Sequence, residues 1–147
     1  MKVKSGMFTK IIATLCLYGV TSFTNACGLQ DNGDGTMSDL VSGIQIQKCG
    51  AGQNWSTGQC RGEEQVFQWS VAVTRYGQGA WRLMTQQEAN TIASRGQFCR
   101  ISGQTWTSTA YTGNDGQYAY AMDVGNSSVG INQRENFVGV RLIRINK

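Results

Sequence analysis

Alternating hydrophobic and polar positions dominate the second half of the chain and predict a run of strands. "TWTSTAY" (105–111) is rich in threonine and aromatic residues, and "GQYAYAMDV" (116–124) alternates tyrosine with smaller residues. "GNSS" then predicts a turn, after which "SVGIN" (128–132) returns. "NFVGVRLIRI" (136–145) is expected to form one last strand. Its apolar face would consist of Val138, Val140 and Leu142.

A different pattern, with its own start and stop signals, predicts a helix in the middle of the chain. Thr85 and Glu88 form a T-x-x-E capping box, in which each side chain bonds an amide that the first helical turn leaves unpaired. Apolar residues then recur on one face, and Gly96 is a favourable C-terminal stop. We therefore predict a helix of about ten residues from Thr85. The apolar face comprises Ala89, Ile92 and Ala93.

The stretch "FQWSVAVTRY" (67–76) fits two patterns equally well. Its apolar residues alternate as in a strand, but Trp69, Ala72, Val73 and Tyr76 also fall on one face of a helix. Periodicity alone leaves both structures open.

The most polar motif is "DNGDGTMSD" (31–39), which precedes two candidate strands in "TMSDL" and "GIQIQK". Asp-Gly and Asn-Gly pairs are typical of tight turns. An EF-hand loop beginning at Asp31 would need side-chain oxygens where Gly33 and Gly35 stand and a glutamate where Ser42 stands. A structural turn is therefore favoured over a calcium site. The carboxylates that such a site would use are Asp31, Asp34 and Asp39.

The N-terminal residues have the features of a secretory signal peptide. A lysine-rich start precedes an apolar run at 11–20, which is too short to span a bilayer, and small residues precede Cys27. The alternative is a buried N-terminal helix. We predict that residues 1–26 are removed and that 27–147 form a single domain, secreted or located in the periplasm or at the cell surface.

Removal of the signal would change the charge balance of the chain. The net charge of +4 includes Lys2, Lys4 and Lys10, so the mature chain would carry ten basic and nine acidic residues. This near-neutral balance argues against a nucleic-acid partner. No second apolar stretch is long enough for a transmembrane segment.

Four of the five cysteines would remain after cleavage, and an even number in an exported chain predicts disulfide bonds. Cys49 and Cys60 bracket a glycine-rich loop and are expected to pair, which would stabilise the fold by about 2–3 kcal/mol. Cys27 and Cys99 would then pair by default. Alternatively, Cys27 is the lipid-modified first residue of a lipoprotein, although the preceding "FTNA" is a poor match to that signal.

Several motifs occur in an order that resembles a known bacterial family. These are "DNGDGTMSDLVSGIQIQKC", the W-x-x-A of Trp69 and Ala72, "AWRLMTQQEA", "TWTSTAY" and "FVGVRLIR". The chain resembles the family named after the C-terminal domain of the Legionella collagen-like adhesin. The resemblance implies a helix at Trp69 and a structural turn at "DNGDGT". The chain departs from the family pattern at Gln45, Ile46, Ala80 and Met84, where that pattern has Met, Trp, Asp and Pro.

The corner "RLMTQQE" and the closing "VRLIR" also resemble the wider C-type-lectin-like fold. That resemblance implies an α+β domain with two short helices, a small twisted antiparallel sheet and long loops, stabilised by disulfides. Arg82 and Glu88 would pair at the corner between strand and helix. The calcium-binding motifs of C-type lectins do not occur in the sequence, so neither a metal nor another cofactor is expected.

Catalytic chemistry has little support in the sequence. The chain has no histidine, which removes the usual partner of a serine or cysteine nucleophile. Glu63 and Glu64 are adjacent and are expected to be a solvated pair in a loop. We therefore predict that the protein is not an enzyme.

Ligand binding is better supported, by aromatic and polar residues that cluster around one loop. A tyrosine face offers C–H contacts to a sugar ring, and Asn or Asp bonds its hydroxyl groups. The alternative is that the tyrosines only pack the sheet. The candidate residues are Tyr111, Asn114, Asp115, Tyr118 and Tyr120.

The resemblance to the adhesin domain also implies basic residues that would contact sulfated glycans. Arg134, Arg141 and Arg144 are the candidates, although strand alternation places the last two on opposite faces. The expected function is non-catalytic binding of a glycan or surface protein. The alternatives are an assembly subunit of an extracellular appendage or a lipid-tethered envelope protein, with oligomers possible, and, third, an enzyme.

Overall fold

The structure is a computed structural model that describes residues 28–96 and 101–146. The signal-peptide prediction, the predicted Cys27–Cys99 bond and the lipid alternative at Cys27 all lie outside the described residues. None of the helices in these two ranges is both long enough and apolar enough to cross a membrane.

The described residues form two α-helices, one short 3-10 helix and a series of short strands. The helices are α1 (Trp69–Tyr76) and α2 (Gln86–Ala93), and the 3-10 helix is Asn114–Gly116. The strands are β1 (Gln30–Asp31), β2 (Thr36–Ser38), β3 (Ile44–Gln47), β4 (Asn54–Ser56), β5 (Gln59–Arg61), β6 (Val66–Phe67), β7 (Gln104–Ala110), β8 (Tyr118–Asp123), β9 (Ser128–Gln133), β10 (Val138–Gly139) and β11 (Ile143–Ile145).

The strands form three sheets, and not the single small antiparallel sheet that the resemblance to the C-type-lectin-like fold implied. A four-stranded antiparallel sheet has the order β1-β2-β3-β11, and β4 and β5 form a separate hairpin. A five-stranded sheet has the order β6-β10-β7-β8-β9 and is antiparallel except between β10 and β7. The predicted α+β class with two helices is confirmed.

Helix α2 begins where the capping box predicts. The Thr85 hydroxyl accepts a hydrogen bond from the Glu88 amide at 3.2 Å, and the Glu88 carboxylate accepts one from the Thr85 amide at 2.7 Å. The same carboxylate also receives two hydrogen bonds from the Arg82 guanidinium. The predicted Arg82–Glu88 pair is therefore confirmed, and it anchors the helix start to the preceding segment.

We expect Thr85→Ala to lower the free energy of unfolding by about 1 kcal/mol, because the Glu88 amide loses its acceptor. Urea denaturation would measure the change. Thr91→Ala is the matched control, because Thr91 lies inside the same helix and its hydroxyl bonds only the Gln87 carbonyl of that helix. It should change stability by less than about 0.5 kcal/mol. Equal losses in both variants would contradict a specific role for the cap.

Helix α1 resolves the ambiguous stretch in favour of the helix that the family resemblance implied. Ala72 is fully buried, and the Trp69 indole N–H donates to the Thr107 carbonyl of β7 at 2.9 Å. These contacts attach α1 to one face of the five-stranded sheet.

The prediction of a single last strand is wrong. Residues 138–139 pair with β6 and β7, whereas residues 143–145 pair with β3 in the other sheet. The chain therefore crosses between sheets, and it does so without changing the alternation of its side chains. The predicted apolar face is nevertheless confirmed, because Val138, Val140 and Leu142 all pack into the same cluster.

Two hydrophobic clusters cover opposite faces of the five-stranded sheet. The cluster around α1 includes the fully buried Trp106, whose indole N–H donates to the Phe67 carbonyl at 2.7 Å. The cluster around α2 includes Met122 and Ile92 and continues into the four-stranded sheet. Both helices thus hold the central strands β7 and β8 from either side.

A buried ion pair between Arg141 and Glu64 corrects what the sequence predicted for each of these residues. Arg141 is only 4% exposed, and its Nη1 atom lies 3.1 Å from the Glu64 carboxylate. Its other donors reach the Lys48 and Ser102 carbonyls. Burial lowers the pKa of Arg141, and the charge of Glu64 partly opposes that effect. Arg141 is therefore unavailable to a surface glycan, and Glu64 is not part of a solvated pair with Glu63.

The predicted Cys49–Cys60 disulfide is confirmed. It joins the residue after Lys48 to β5 and so ties the β4–β5 hairpin to the end of the four-stranded sheet. Among the described strands, β4 and β5 pair only with each other, so the disulfide is a main link between this hairpin and the rest of the fold.

We expect stability to fall as the pH drops from about 5 to about 3, because two carboxyl groups are stabilised in their charged forms. Burial opposes ionisation of Asp39, but bonds from Ser42, Val41 and Arg95 outweigh it and lower its pKa. Glu88 has a lowered pKa because bonds from Arg82 and Thr85 likewise outweigh burial. Their contribution is present above the unfolded-state pKa values and is lost as the pH falls through the lower folded-state values.

Urea midpoints measured across this pH range would test the acid sensitivity. Asp39→Asn should be less stable at neutral pH and should lose less stability on acidification. An Asp39→Asn variant with the same pH profile as the unmodified protein would contradict the role of that carboxylate.

Candidate functional site

The polar motif at 31–39 forms a tight turn and separate side-chain contacts. The Asp31 carboxylate accepts from the Gly33 amide at 2.8 Å, and Asp34 accepts from the Thr36 amide at 3.0 Å. The hydrogen bond from the Thr36 hydroxyl is the main cause of the lowered pKa of Asp34. Asp39 instead pairs with Arg95. Within residues 28–96 and 101–146, no group of three or more His, Cys, Asp or Glu side chains could hold a metal ion.

The predicted tyrosines lie together on one face of the five-stranded sheet. Strand register places Tyr118 opposite Gln133 and Tyr120 opposite Ile131, and opposed residues share a face. The rings of Tyr111 and Tyr120 meet edge to face, with centroids 5.7 Å apart. All three tyrosines are half-buried, so part of this aromatic surface packs within the sheet.

Arg134 lies on the opposite face from the tyrosines. It follows Gln133 directly, and alternation turns its side chain toward α1, where its guanidinium carbon lies 4.3 Å from the centroid of the Trp69 ring. The Nε atom donates to the Tyr118 carbonyl at 3.0 Å. The six predicted residues therefore do not form one patch, because the sheet separates the tyrosine rings from the guanidinium.

The Arg134 guanidinium is held in place while part of it stays available. Cation–π contact with Trp69 and the bond from Nε fix its plane. Neither Nη atom donates a hydrogen bond to another residue in the described part of the chain. A planar guanidinium with two open donors is suited to a pair of oxygen atoms on a ligand.

A cavity of about 370 Å³ lies beside Arg134, where β8 begins and β9 ends. This volume falls in the range of small-molecule sites, about 300–1,000 Å³. The residues that line it include two with side-chain amides, one with a carboxylate and one with a guanidinium, so both donors and acceptors are represented. The lining residues are Gly116, Gln117, Gln133, Arg134 and Glu135.

The loop that borders this cavity has an unusual backbone. Asn114 and Asp115 are both left-handed, with φ of 50° and 52°, and Gly116 follows with φ of 74°. Left-handed residues other than glycine are costly, by about 1–2 kcal/mol each in general and less for Asn and Asp. Both side chains are exposed at the tip. The predicted polar loop residues thus directly precede Gly116, which lines the cavity.

A larger cleft of about 590 Å³ lies between Asp31 and the disulfide hairpin. Lys48 supplies the ammonium group of this cleft, and its side chain is 8% exposed. Lys48 already pairs with Asp31 and lies 4.4 Å from the centroid of the Trp55 ring. The Lys48 ammonium is therefore already engaged by two neighbouring side chains, whereas the Nη groups of Arg134 are open.

Arg144 is placed much like Arg134 but away from any of these cavities. Its guanidinium carbon lies 4.7 Å from the centroid of the Trp81 ring, and its Nε atom donates to Gln45. Arg141, in contrast, is buried.

The residues that surround Arg134 were not predicted from the sequence as part of a site. Trp69 appeared only as part of a helix motif, and Gln117, Gln133 and Glu135 gave no signal. Their proximity depends on the docking of α1 against β7 and on the β8–β9 register, which are contacts between distant segments.

No relative gives independent evidence on the function of this cavity. Comparison of the chain with models of known protein families and with characterised proteins gave no match.

Proposed function

We propose that the chain is an exported, non-catalytic domain that binds a saccharide in the cavity beside Arg134. In this proposal it is a C-type-lectin-like domain of the adhesin-derived family that its motifs resemble. The predicted signal sequence and the Cys49–Cys60 bond support export, and the pattern of motifs supports membership of the family.

The observation that carries the binding proposal is the fixed guanidinium of Arg134. Trp69 and the Tyr118 carbonyl hold it in one orientation, so binding a ligand would cost little side-chain entropy. Its two Nη groups could donate to neighbouring oxygens of one ligand, such as vicinal hydroxyls or a carboxylate.

The remaining lining groups favour a sugar over a strong polyanion. Glu135 places a negative charge beside Arg134, so the cavity has no net positive charge to attract several sulfates. Gln117 and Gln133 each offer both a donor and an acceptor, which matches hydroxyl groups that also do both. We therefore propose a neutral or singly charged saccharide as the ligand.

A glycan array probed with the mature protein would test the proposal, followed by calorimetry on any ligand found. We expect Arg134→Gln to weaken binding by about 10–100-fold, because a charged hydrogen-bond donor is lost. Arg144→Gln is the matched control, since Arg144 also stacks on a tryptophan but does not line the cavity beside Arg134. Its affinity should be unchanged.

Three results would contradict the proposal. They are an array without any bound glycan, equal loss of affinity in both arginine variants, and retention of full affinity by Arg134→Gln. Thermal unfolding of each variant would confirm that both proteins remain folded.

A further inference from the structure

Strand β9 is an exposed edge of the five-stranded sheet. It is six residues long, whereas the other sheet edges in the described residues are strands of two or three residues. Its sequence, SVGINQ, contains neither a charged residue nor a proline. Proteins normally protect a long edge with such residues, because its unpaired backbone groups attract another strand. The remaining edges are both shorter and, at β1 and β11, charged.

The register of β8 and β9 shows which backbone groups point outward. The Arg134 amide donates to the Gln117 carbonyl at 2.9 Å, so residue 134 turns its backbone toward β8. In an antiparallel ladder alternate residues do the same, which leaves Val129, Ile131 and Gln133 turned away from β8. The Gln133 carbonyl accepts a bond from the Asn136 amide, but the amides of all three residues donate no hydrogen bond within residues 28–96 and 101–146.

We propose that two copies of this chain pair through β9, antiparallel, about a two-fold axis at Ile131. In this register Ile131 bonds to itself across the axis, and Val129 lies opposite Gln133 of the second copy. Every outward amide then has a carbonyl acceptor within β9. Moving the axis by one residue in either direction would leave one outward residue opposite a position beyond the strand.

The side chains favour a second copy as the occupant of this edge. Ile131 is 45% exposed and would meet its own copy on the face that carries Tyr120, so apolar surface would be buried on both sides of the axis. On the other face, Arg134 would lie opposite Ser128 of the second copy, whose neighbour in β8 is Asp123. The Cα atoms of Arg134 and of Asp123 in the second copy would then lie about 10 Å apart, two strand spacings, at both ends, so residues of opposite charge would face each other across the interface.

Sedimentation of the mature protein up to about 1 mM would test the pairing, because even weak association appears there. We expect a dimer, and we expect Ile131→Lys to be a monomer because the two-fold axis would bring two ammonium groups together. Ile145→Lys is the matched control, since Ile145 is also 45% exposed and also lies in an edge strand. That variant should remain a dimer.

The proposed register between the two copies of β9 can also be tested by disulfide cross-linking. Gly130 and Asn132 of two copies would face each other at a non-hydrogen-bonded position, about 4.5 Å apart between Cα atoms, which suits a disulfide. A Cβ at Gly130 meets no atom within 4 Å, so Gly130→Cys should fold. A mixture of Gly130→Cys and Asn132→Cys proteins should cross-link under mild oxidation, and neither variant should do so alone through these positions.

Three outcomes would overturn the pairing. The first is a monomer at every concentration, and the second is a dimer that survives Ile131→Lys. The third is a monomer whose Val129 and Ile131 amides become protected from exchange only when a peptide of the β9 sequence is added. That last result would show that the edge accepts a foreign strand and not a second copy.

Discussion

Replacing Trp106 with alanine is expected to lower the free energy of unfolding by about 3–5 kcal/mol, one of the largest effects available in this chain. Trp106 is fully buried between α1 and the strands β7 and β8. The substitution would leave a cavity and would also remove the hydrogen bond to the Phe67 carbonyl. Because β6 is only two residues long, loss of that bond should loosen its attachment to the sheet.

Urea denaturation of Trp106→Ala and Trp106→Phe would separate these contributions. The phenylalanine variant keeps most of the buried volume but leaves the Phe67 carbonyl without its donor, so a smaller loss of about 1–3 kcal/mol is expected. Trp55→Ala serves as a control, since Trp55 is half-buried and lies in β4 of the disulfide hairpin. A Trp106→Ala protein no less stable than Trp55→Ala would contradict the central position of Trp106.

Glu64→Gln is expected to cost about 3 kcal/mol, because it leaves the buried guanidinium of Arg141 without a counter-charge. This lies at the lower end of the range for breaking a buried pair, since the Glu64 side chain is 29% exposed and water can partly replace it. Glu63→Gln is the matched control. Its exposed side chain should contribute less than about 0.5 kcal/mol.

A double-mutant cycle would show whether the cost of Glu64→Gln arises from this pair. In an Arg141→Met background there is no buried charge to compensate, so Glu64→Gln should then have little further effect. Additive losses from the two substitutions would contradict direct coupling between Glu64 and Arg141.

Local signals in the sequence were sufficient for some elements of the fold. The T-x-x-E motif placed the start of α2, because the cap depends only on neighbouring residues. The alternation in residues 104–133 likewise predicted the antiparallel succession β7, β8 and β9. The spacing of Cys49 and Cys60 was enough to predict their bond.

Other features depend on contacts that no local pattern records. Residues 136–145 were predicted to form a single strand because the alternation of side chains continues from β10 to β11. The burial of Arg141 depends on Glu64, which is distant in the sequence. The same holds for the binding cavity, where Arg134 was predicted but its support, Trp69, comes from a helix that docks on β7.

The most direct measurement of the binding proposal is the change in backbone amide NMR signals when a saccharide selected on the array is added. We predict that the largest shifts occur at Gly116, Gln117, Gln133 and Glu135, which line the cavity beside Arg134. They should disappear in Arg134→Gln. Shifts confined to Lys48, Trp55 and Gln59 would place the ligand in the larger cleft beside the disulfide hairpin and contradict the proposed site.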